Sequence, residues 1–279
     1  NKKVKNIFTD QEIIEAEVKL VEQVVTKYKN HPALYAWDLG NEHSQLHIQV
    51  NNQEINKWLN KFTNLIKDID SDHPTTLGIH QLDIEKDTGF QPQVVSQNCE
   101  LITMHGYSVY AGWGKGYLDN NVIPFLNYLV SKLSGKRVLF SEFGFATNEQ
   151  QQPTTEITLT WADNHQQKTY LVAEEEAAKC TIKIIQTLKA MGSLGAFLWC
   201  YADYDKSLRK LPPFDRAVQE MSFGITRADG SLKSVARMLK NIQLGEEQNK
   251  KKIEILKEKY YQQPLENLMK YYQEYNKDE

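Results

Sequence analysis

Apolar and polar positions along the chain follow two alternating patterns. Short continuous apolar runs predict buried strands, and longer segments with apolar residues every three or four positions predict amphipathic helices. The predicted strands are 34–39, 75–79, 101–104, 138–141 and 195–198. Helices or long loops separate these strands, so the pattern predicts an α/β fold built from repeated strand and helix units.

The clearest predicted helix is 50–69, in which the apolar residues follow helical spacing closely. An opening helix is predicted to begin at Thr9, because Glu12 stands at the spacing of a capping box. Two polar segments, 147–166 and 201–223, predict long loops. The remaining predicted helices are 122–133, 167–191, a segment after Ser231 and parts of the charged stretch 246–279.

Two of the apolar runs lead to a glutamate: Glu42, three positions after the end of the first strand, and Glu142, directly after the fourth. Strand packing gives no reason for an acid at that point. In a barrel of alternating strands and helices, the C-terminal strand ends form the active-site face. Two carboxylates on one such face are what glycoside hydrolysis requires.

Composition and charge exclude several other classes of function. The formal net charge of -3 gives no basic footprint for nucleic acid, and no apolar run approaches the length of a membrane span. Cys99, Cys180 and Cys200 are scattered, without the spacing of a metal site or a disulfide framework. The cysteines therefore favour a reducing, cytoplasmic compartment, and the sequence leaves the localisation otherwise open.

Four motifs in chain order carry a resemblance to a known family. They are Asn41-Glu42, His105-Gly106-Tyr107, Ser141-Glu142-Phe143-Gly144 and Trp199, each at a predicted strand end. Over about 30–240 the chain resembles a clan A glycoside hydrolase of the family 5 endo-β-mannosidase and cellulase-like group. The resemblance implies a (β/α)8 TIM barrel, of which 1–245 supplies strands four to eight. Residues 246–279 are then a helical extension packed on the barrel.

The resemblance also implies roles for the residues at the strand ends. It makes Glu42 the acid/base and Glu142 the nucleophile of a retaining mechanism. Asn41 is expected to bind the sugar 2-hydroxyl and Tyr107 to orient the nucleophile. His105 is expected to line the same subsite, and Trp199 to lie beneath the reacting sugar. No metal or organic cofactor is implied.

The substrate that the resemblance implies is a β-linked oligo- or polysaccharide, mannan-like first and glucan-like second. Five strands are fewer than a barrel needs. We therefore expect the first three strands from a longer polypeptide or from a second chain. The alternative function is a non-catalytic carbohydrate-binding or scaffold protein on the same barrel. An open-sheet hydrolase is a third reading, and the sequence lacks its Gly-x-Ser-x-Gly elbow.

Several histidines and aromatic residues stay open to two interpretations. His80 follows a strand and either faces the cleft or is a rim residue. His43 and His47 have the spacing of a metal pair on a helix, yet no third ligand accompanies them, so a solvated loop is expected. Trp161 and His165 belong to a predicted insertion that is either a lid over the substrate or a surface loop.

Overall fold

The computed structural model describes residues 5–160, 166–246 and 253–277. The strands in these ranges are β1 (Trp37–Asn41), β2 (Thr75–Ile79), β3 (Ile102–His105), β4 (Val138–Phe143), β5 (Thr155–Thr160), β6 (Gln166–Leu171) and β7 (Gly195–Leu198). The α-helices are α1 (Gln11–Tyr28), α2 (Asn52–Ile69), α3 (Leu82–Glu85), α4 (Pro92–Asn98), α5 (Val122–Ser134), α6 (Glu174–Ala190), α7 (Ser234–Leu239), α8 (Lys257–Tyr260) and α9 (Pro264–Tyr275). Within the described ranges, no helix combines the length and the apolar character needed to cross a membrane.

The chain divides into two compact units. The first unit comprises Asn1–His105, Leu129–Leu139 and Lys252–Glu279. The second unit comprises Gly106–Tyr128 and Phe140–Lys251. Helix α5 and strand β4 each begin in one unit and end in the other.

Three parallel strands form the sheet of the first unit. β1 pairs with β2 and β2 with β3, with Trp37 opposite Thr75 and Gly78 opposite Thr103. β2 and β3 are buried along their whole length, while α1 packs against α2, α2 against α4, and α4 against β2 and β3. Because neighbouring parallel strands end at the same edge, the residues after them come together there.

Helix α2 shows how the local sequence sets this layer. Asn51 caps the helix by accepting hydrogen bonds from Gln53 and Glu54, and the Glu54 side chain accepts one from the Asn51 N–H. This reciprocal capping box satisfies N–H groups that the first turn leaves unpaired. The face buried against the rest of the unit consists of Ile55, Trp58, Leu59, Phe62, Thr63 and Ile66.

The second unit contains the end of β4, its neighbour β7, and an antiparallel hairpin. The Trp199 N–H donates a hydrogen bond to the Phe143 carbonyl over 2.8 Å, which joins the ends of β4 and β7. β5 and β6 form the hairpin, in which Thr155 lies opposite Leu171. Helix α6 packs against α7 and β7.

The five predicted strands all form, in the predicted order, but two further strands were not predicted and not every boundary matches. The predicted 75–79 and 195–198 match β2 and β7 in full. The first strand is Trp37–Asn41 instead of 34–39. The Leu34 N–H donates to the His31 carbonyl in a turn, and strand pairing begins only at Trp37. β4 continues to Phe143, so Glu142 lies inside the strand and not after it.

Other predicted boundaries are wrong. Part of the predicted loop 147–166 is strand β5, and β6 takes the residues expected to begin α6, which starts at Glu174. The alternating Thr155–Thr160 sequence is a strand pattern that its polar character concealed. Asp10, not Thr9, caps α1, since its carboxylate accepts hydrogen bonds from Glu12 and Ile13.

Candidate active site

Glu42 directly follows β1 in the first unit, and its carboxylate lies beside two histidines. Its Oε1 atom is 3.0 Å from Nδ1 of His105 and 3.9 Å from Nε2 of His80. The Glu42 N–H donates to the Gly78 carbonyl over 3.2 Å. The acid is therefore tied by its backbone to β2 and by its side chain to the end of β3.

The position of His105 depends on a close approach between β2 and β3. The His105 side chain is buried, and a Cβ placed at Gly78 would lie 2.9 Å from its Cε1 atom. No side chain fits between strand and ring at that distance. A glycine at position 78 thus allows the imidazole to lie over β2, with Nδ1 within hydrogen-bond distance of Glu42.

His80 lies on a turn that a buried carboxylate holds together. The Asp83 Oδ2 atom accepts a hydrogen bond from the His80 N–H over 2.8 Å, and Oδ1 accepts one from the Thr88 hydroxyl over 2.5 Å. The His80 ring lies 3.0 Å from the Gln45 amide nitrogen. Burial raises the pKa of Asp83 to about 6, and burial also lowers the pKa of His80, against the raising effect of Glu42.

The C-terminal helices reach the same turn. The Tyr261 hydroxyl donates to the Asp83 carbonyl over 2.6 Å, and the Tyr260 hydroxyl donates to the Ile84 carbonyl over 2.9 Å. Tyr260 is fully buried. Two consecutive tyrosines of the last described segment therefore fix α3, which carries Asp83.

His43 does not lie in the solvated loop that its sequence neighbourhood suggested. Its ring stacks on Phe90, with centroids 5.8 Å apart, and meets Phe8 and Trp58 edge to face. Burial lowers the pKa of His43 to about 4, so the imidazole is neutral near pH 7. His47, by contrast, is exposed.

Glu142 lies on β4 in the second unit and is held by a tyrosine. The Tyr107 hydroxyl donates to Glu142 Oε1 over 2.5 Å, and the Gly106 N–H donates to the Glu142 carbonyl over 3.1 Å. The Tyr107 ring packs edge to face on Phe223, with centroids 5.6 Å apart, and against Tyr110. The hydroxyl is thus aimed at the carboxylate by a buried aromatic cluster.

Trp199 is 38% exposed and begins a segment that backbone hydrogen bonds hold in place. Cys200 and Phe223 share a backbone hydrogen bond, as do Asp203 and Thr226. Lys233, whose side chain is 2% exposed, also holds this segment. Its ammonium donates three hydrogen bonds, to Asp203 and Thr147 over 2.7 Å each and to the Ser222 carbonyl over 2.8 Å.

The structure groups the residues that sequence analysis singled out as follows. In the first unit it brings Glu42, His80 and His105 together, with Asn41 exposed one position before Glu42. In the second unit it brings Glu142 and Tyr107 together. Trp161 and His165 lie outside the described residues.

Three residues that support this arrangement are not evident from the sequence pattern. Gln45 and Asp83 hold His80, and Lys233 holds the segment after Trp199. No sequence signal marks Lys233, since it lies 30 residues from its partner Asp203. Asp83 is three residues after the strand-end His80, and that spacing was the available signal.

Comparison with known proteins identifies a family. A sequence model described as GH family 5 beta-mannosidase-like matches residues 1–202. The "Mannan endo-1,4-beta-mannosidase A" of Hypocrea jecorina is 28% identical over 159 residues, covering 50% of this chain and 35% of that protein. The "Probable mannan endo-1,4-beta-mannosidase F" of Aspergillus flavus is 25% identical, covering 50% and 32%. The chain thus matches about a third of the length of these curated relatives.

Solved structures share the fold. A GH5_18 variant from Streptomyces cattleya in complex with Manb1-4GlcNAc aligns with a TM-score of 0.65 and 16% identity, covering 85% of this chain and 55% of that one. The exo-beta-1,4-mannosidase Op5Man5 from Opitutaceae bacterium strain TAV5 aligns with a TM-score of 0.66 and 21% identity, covering 86% and 41%. The expected fold, part of a (β/α)8 TIM barrel, is confirmed.

Proposed function

Because the chain belongs to glycoside hydrolase family 5, with the β-mannosidase-like proteins, we propose that it is part of a retaining glycosidase. The substrate would be a β-linked oligo- or polysaccharide, with a mannan-like chain first and a glucan-like chain second. The names of its curated relatives and of Op5Man5, all β-mannosidases, support this order.

The proposed reaction has two steps. Glu142 attacks the anomeric carbon while Glu42 gives its proton to the glycosidic oxygen, so the bond from that carbon to the leaving oxygen breaks as the glycosyl ester forms. In the second step water attacks the same carbon. Glu42 takes the water proton, and the ester bond to Glu142 breaks. Two inversions leave the β-configuration unchanged.

The observation that supports this proposal most is the partner of each carboxylate. Tyr107 donates to Glu142, and a hydroxyl donor stabilises a carboxylate and restricts its rotamer, as a nucleophile requires. His105 lies against Glu42, which confines the proposed acid/base to one place. Each of these contacts joins a strand-end acid to a residue that sequence analysis had selected for the same subsite.

The remaining site residues belong to the proposal as substrate-binding groups. Asn41 would hydrogen-bond the sugar 2-hydroxyl, a contact that strengthens in the transition state. Trp199, with part of its ring surface open, would form the floor beneath the reacting sugar. His80 would face the same sugar from the Asp83 turn.

Completion of the barrel is also part of the proposal. A complete barrel has eight strands, and the described residues supply five besides the hairpin. Phe197 on β7 is 59% exposed and Leu194 before it 43%, which is unusual for apolar residues at a barrel strand. We propose that strands from the same polypeptide or a second chain cover them, and that 246–279 pack on the barrel as an extension.

The decisive experiment uses the polypeptide that the gene encodes in full. Hydrolysis of β-1,4-mannooligosaccharides and of an aryl β-mannoside is measured for the wild type, Glu142→Gln and Glu42→Gln. Glu22→Gln is the matched control, since Glu22 is an exposed acid on α1. A 2-fluoro mannosyl fluoride would trap the ester, and mass spectrometry of the digest would identify the labelled residue.

We expect both active-site variants to lose at least about 1,000-fold in kcat, with the label on Glu142 and the β-anomer released first. Turnover by Glu142→Gln at the wild-type rate would refute the assignment of the nucleophile. Saccharide binding without turnover in any form would favour a non-catalytic carbohydrate-binding protein instead.

A further inference from the structure

Glu42 has a backbone conformation that a non-glycine residue adopts only under constraint. Its φ and ψ are 49° and 48°, in the left-handed region, and among the described residues only His47 and Gln151 share a positive φ without being glycine. Such conformations persist where the surrounding structure over-determines them. The neighbours of Glu42 must therefore contain the constraint.

The next residue supplies that constraint. The His43 ring is enclosed by three buried aromatic side chains, stacked on Phe90 and edge to face with Phe8 and Trp58. Phe8 and Trp58 also contact each other, with centroids 5.4 Å apart. This His43 cage, formed by Phe8, Trp58 and Phe90, keeps the ring in one place.

The strand side of the ring is closed as well. A Cβ at Gly40 would lie only 2.3 Å from His43 Cε1 and 2.7 Å from Nε2, so β1 runs directly against the ring edge. Glu42 lies on the two-residue connection between Gly40 and His43. With both ends held, the structure closes this connection through a left-handed conformation at Glu42.

The imidazole acts here by its shape and not by its charge. Its Nδ1 atom is shielded from solvent and has no hydrogen-bond partner among the described residues. Burial also lowers the pKa of His43 to about 4, so the ring is uncharged near neutral pH. What the ring supplies at this place is therefore its packing.

We propose that His43 is a positioning residue for the acid/base Glu42. Locked in its cage and against Gly40, it forces the Glu42 backbone into the conformation that points the carboxylate at His105. This inference rests on the proposed function, because it assigns Glu42 the task of protonating the leaving group.

The chemistry of the leaving group supplies a selective test. A sugar alkoxide leaves only when it is protonated, whereas 2,4-dinitrophenolate leaves without an acid. General acid catalysis contributes about 100- to 10,000-fold where it is needed. Misplacing Glu42 should therefore slow cleavage of a sugar–sugar bond far more than formation of the glycosyl ester from the activated substrate.

The experiment compares kcat/KM for β-1,4-mannotriose and for 2,4-dinitrophenyl β-mannoside in the polypeptide that the gene encodes in full. We expect His43→Ala to lose about 100-fold or more on mannotriose and less than about tenfold on the activated substrate. His43→Phe keeps an aromatic ring in the cage and should recover most of the loss. His47→Ala, an exposed histidine with similar φ, is the matched control.

Gly40→Ala is a supporting variant from the strand side: its methyl group would meet the His43 ring, and the φ of +147° at position 40 adds a strain of its own. It should show the same selective loss as His43→Ala. Equal losses on both substrates, or none on mannotriose, would overturn the inference. If the wild type cleaves neither substrate, the proposed function fails instead, and a crystal structure of His43→Ala then decides. Glu42 retaining a positive φ there would overturn the positioning role.

Discussion

Removing one partner of the buried pair Lys233–Asp203 should lower the free energy of unfolding by much more than the intact pair contributes to it. Lys233 is 2% exposed and its ammonium makes three hydrogen bonds, while the Asp203 side chain is 15% exposed and also accepts from the Gly224 N–H. Burial raises the pKa of Asp203 and lowers the pKa of Lys233, in each case against the attraction of the partner. Both directions favour the neutral forms, so desolvation outweighs the attraction between the charges.

Single substitutions leave one charge buried without its partner. Asp203→Leu leaves the Lys233 ammonium buried without its carboxylate, which we expect to lower the free energy of unfolding by about 3–5 kcal/mol. Lys233→Met leaves the Asp203 carboxylate without its cation, although the carboxylate keeps the hydrogen bond from the Gly224 N–H and some contact with water. This variant should lower the free energy of unfolding by about 2–3 kcal/mol. The double variant Lys233→Met/Asp203→Leu removes both charges and should come within about 2 kcal/mol of the wild type.

Urea unfolding of the four proteins at pH 7, with the linear extrapolation, measures these differences. The double-mutant cycle should give a coupling of about 3 kcal/mol or more. Lys206–Glu149, an exposed pair in the same unit, is the control and should give a much smaller coupling, because solvent screens both charges. A double variant that loses the sum of the single losses would refute the reasoning.

Three further predictions concern the site and its supports. Tyr107→Phe removes the donor to Glu142 and should lower kcat/KM by about 10- to 100-fold; unchanged kinetics would contradict this. The pKa of Asp83 is about 6 in the folded protein against an ordinary 3.8, so the protonated carboxyl stabilises the fold. This contribution, up to about 3 kcal/mol, should be lost as pH rises from about 4 to 6. Asp83→Asn should flatten that part of a stability-against-pH curve, and an unchanged slope would contradict it. Tyr261→Phe removes a buried hydroxyl and should cost about 1–2 kcal/mol in urea unfolding, whereas Tyr35→Phe, 67% exposed, should cost almost nothing; equal losses would contradict this.

The strands of the parallel sheet could be predicted because a short continuous apolar run is typical of a buried strand. β2 and β7 were found to the residue, and the resemblance to family 5 is confirmed by the family match over 1–202. The roles of Glu42 and Glu142 stay predictions. The β5–β6 hairpin was missed because most of its residues are polar, so that its alternation carries little apolar signal.

The supports of the site escaped for a different reason. The pattern of His43 and His47 gives a spacing but not the three aromatic residues, from Phe8 to Phe90, that surround only one of them. The left-handed conformation of Glu42 follows from that packing and has no local sequence signal. Local propensity thus identified the elements, whereas contacts between remote segments determined the conformation at the site.

The hydrogen bond from Tyr261 to the Asp83 carbonyl joins residues 178 positions apart. At about 5–20 residues per second, roughly 10–35 s separate the synthesis of Asp83 from that of its tyrosine partner. Until then the turn that presents His80 lacks its C-terminal anchor. A nascent chain arrested before Tyr260 should therefore expose this turn to protease, and completion of translation should protect it.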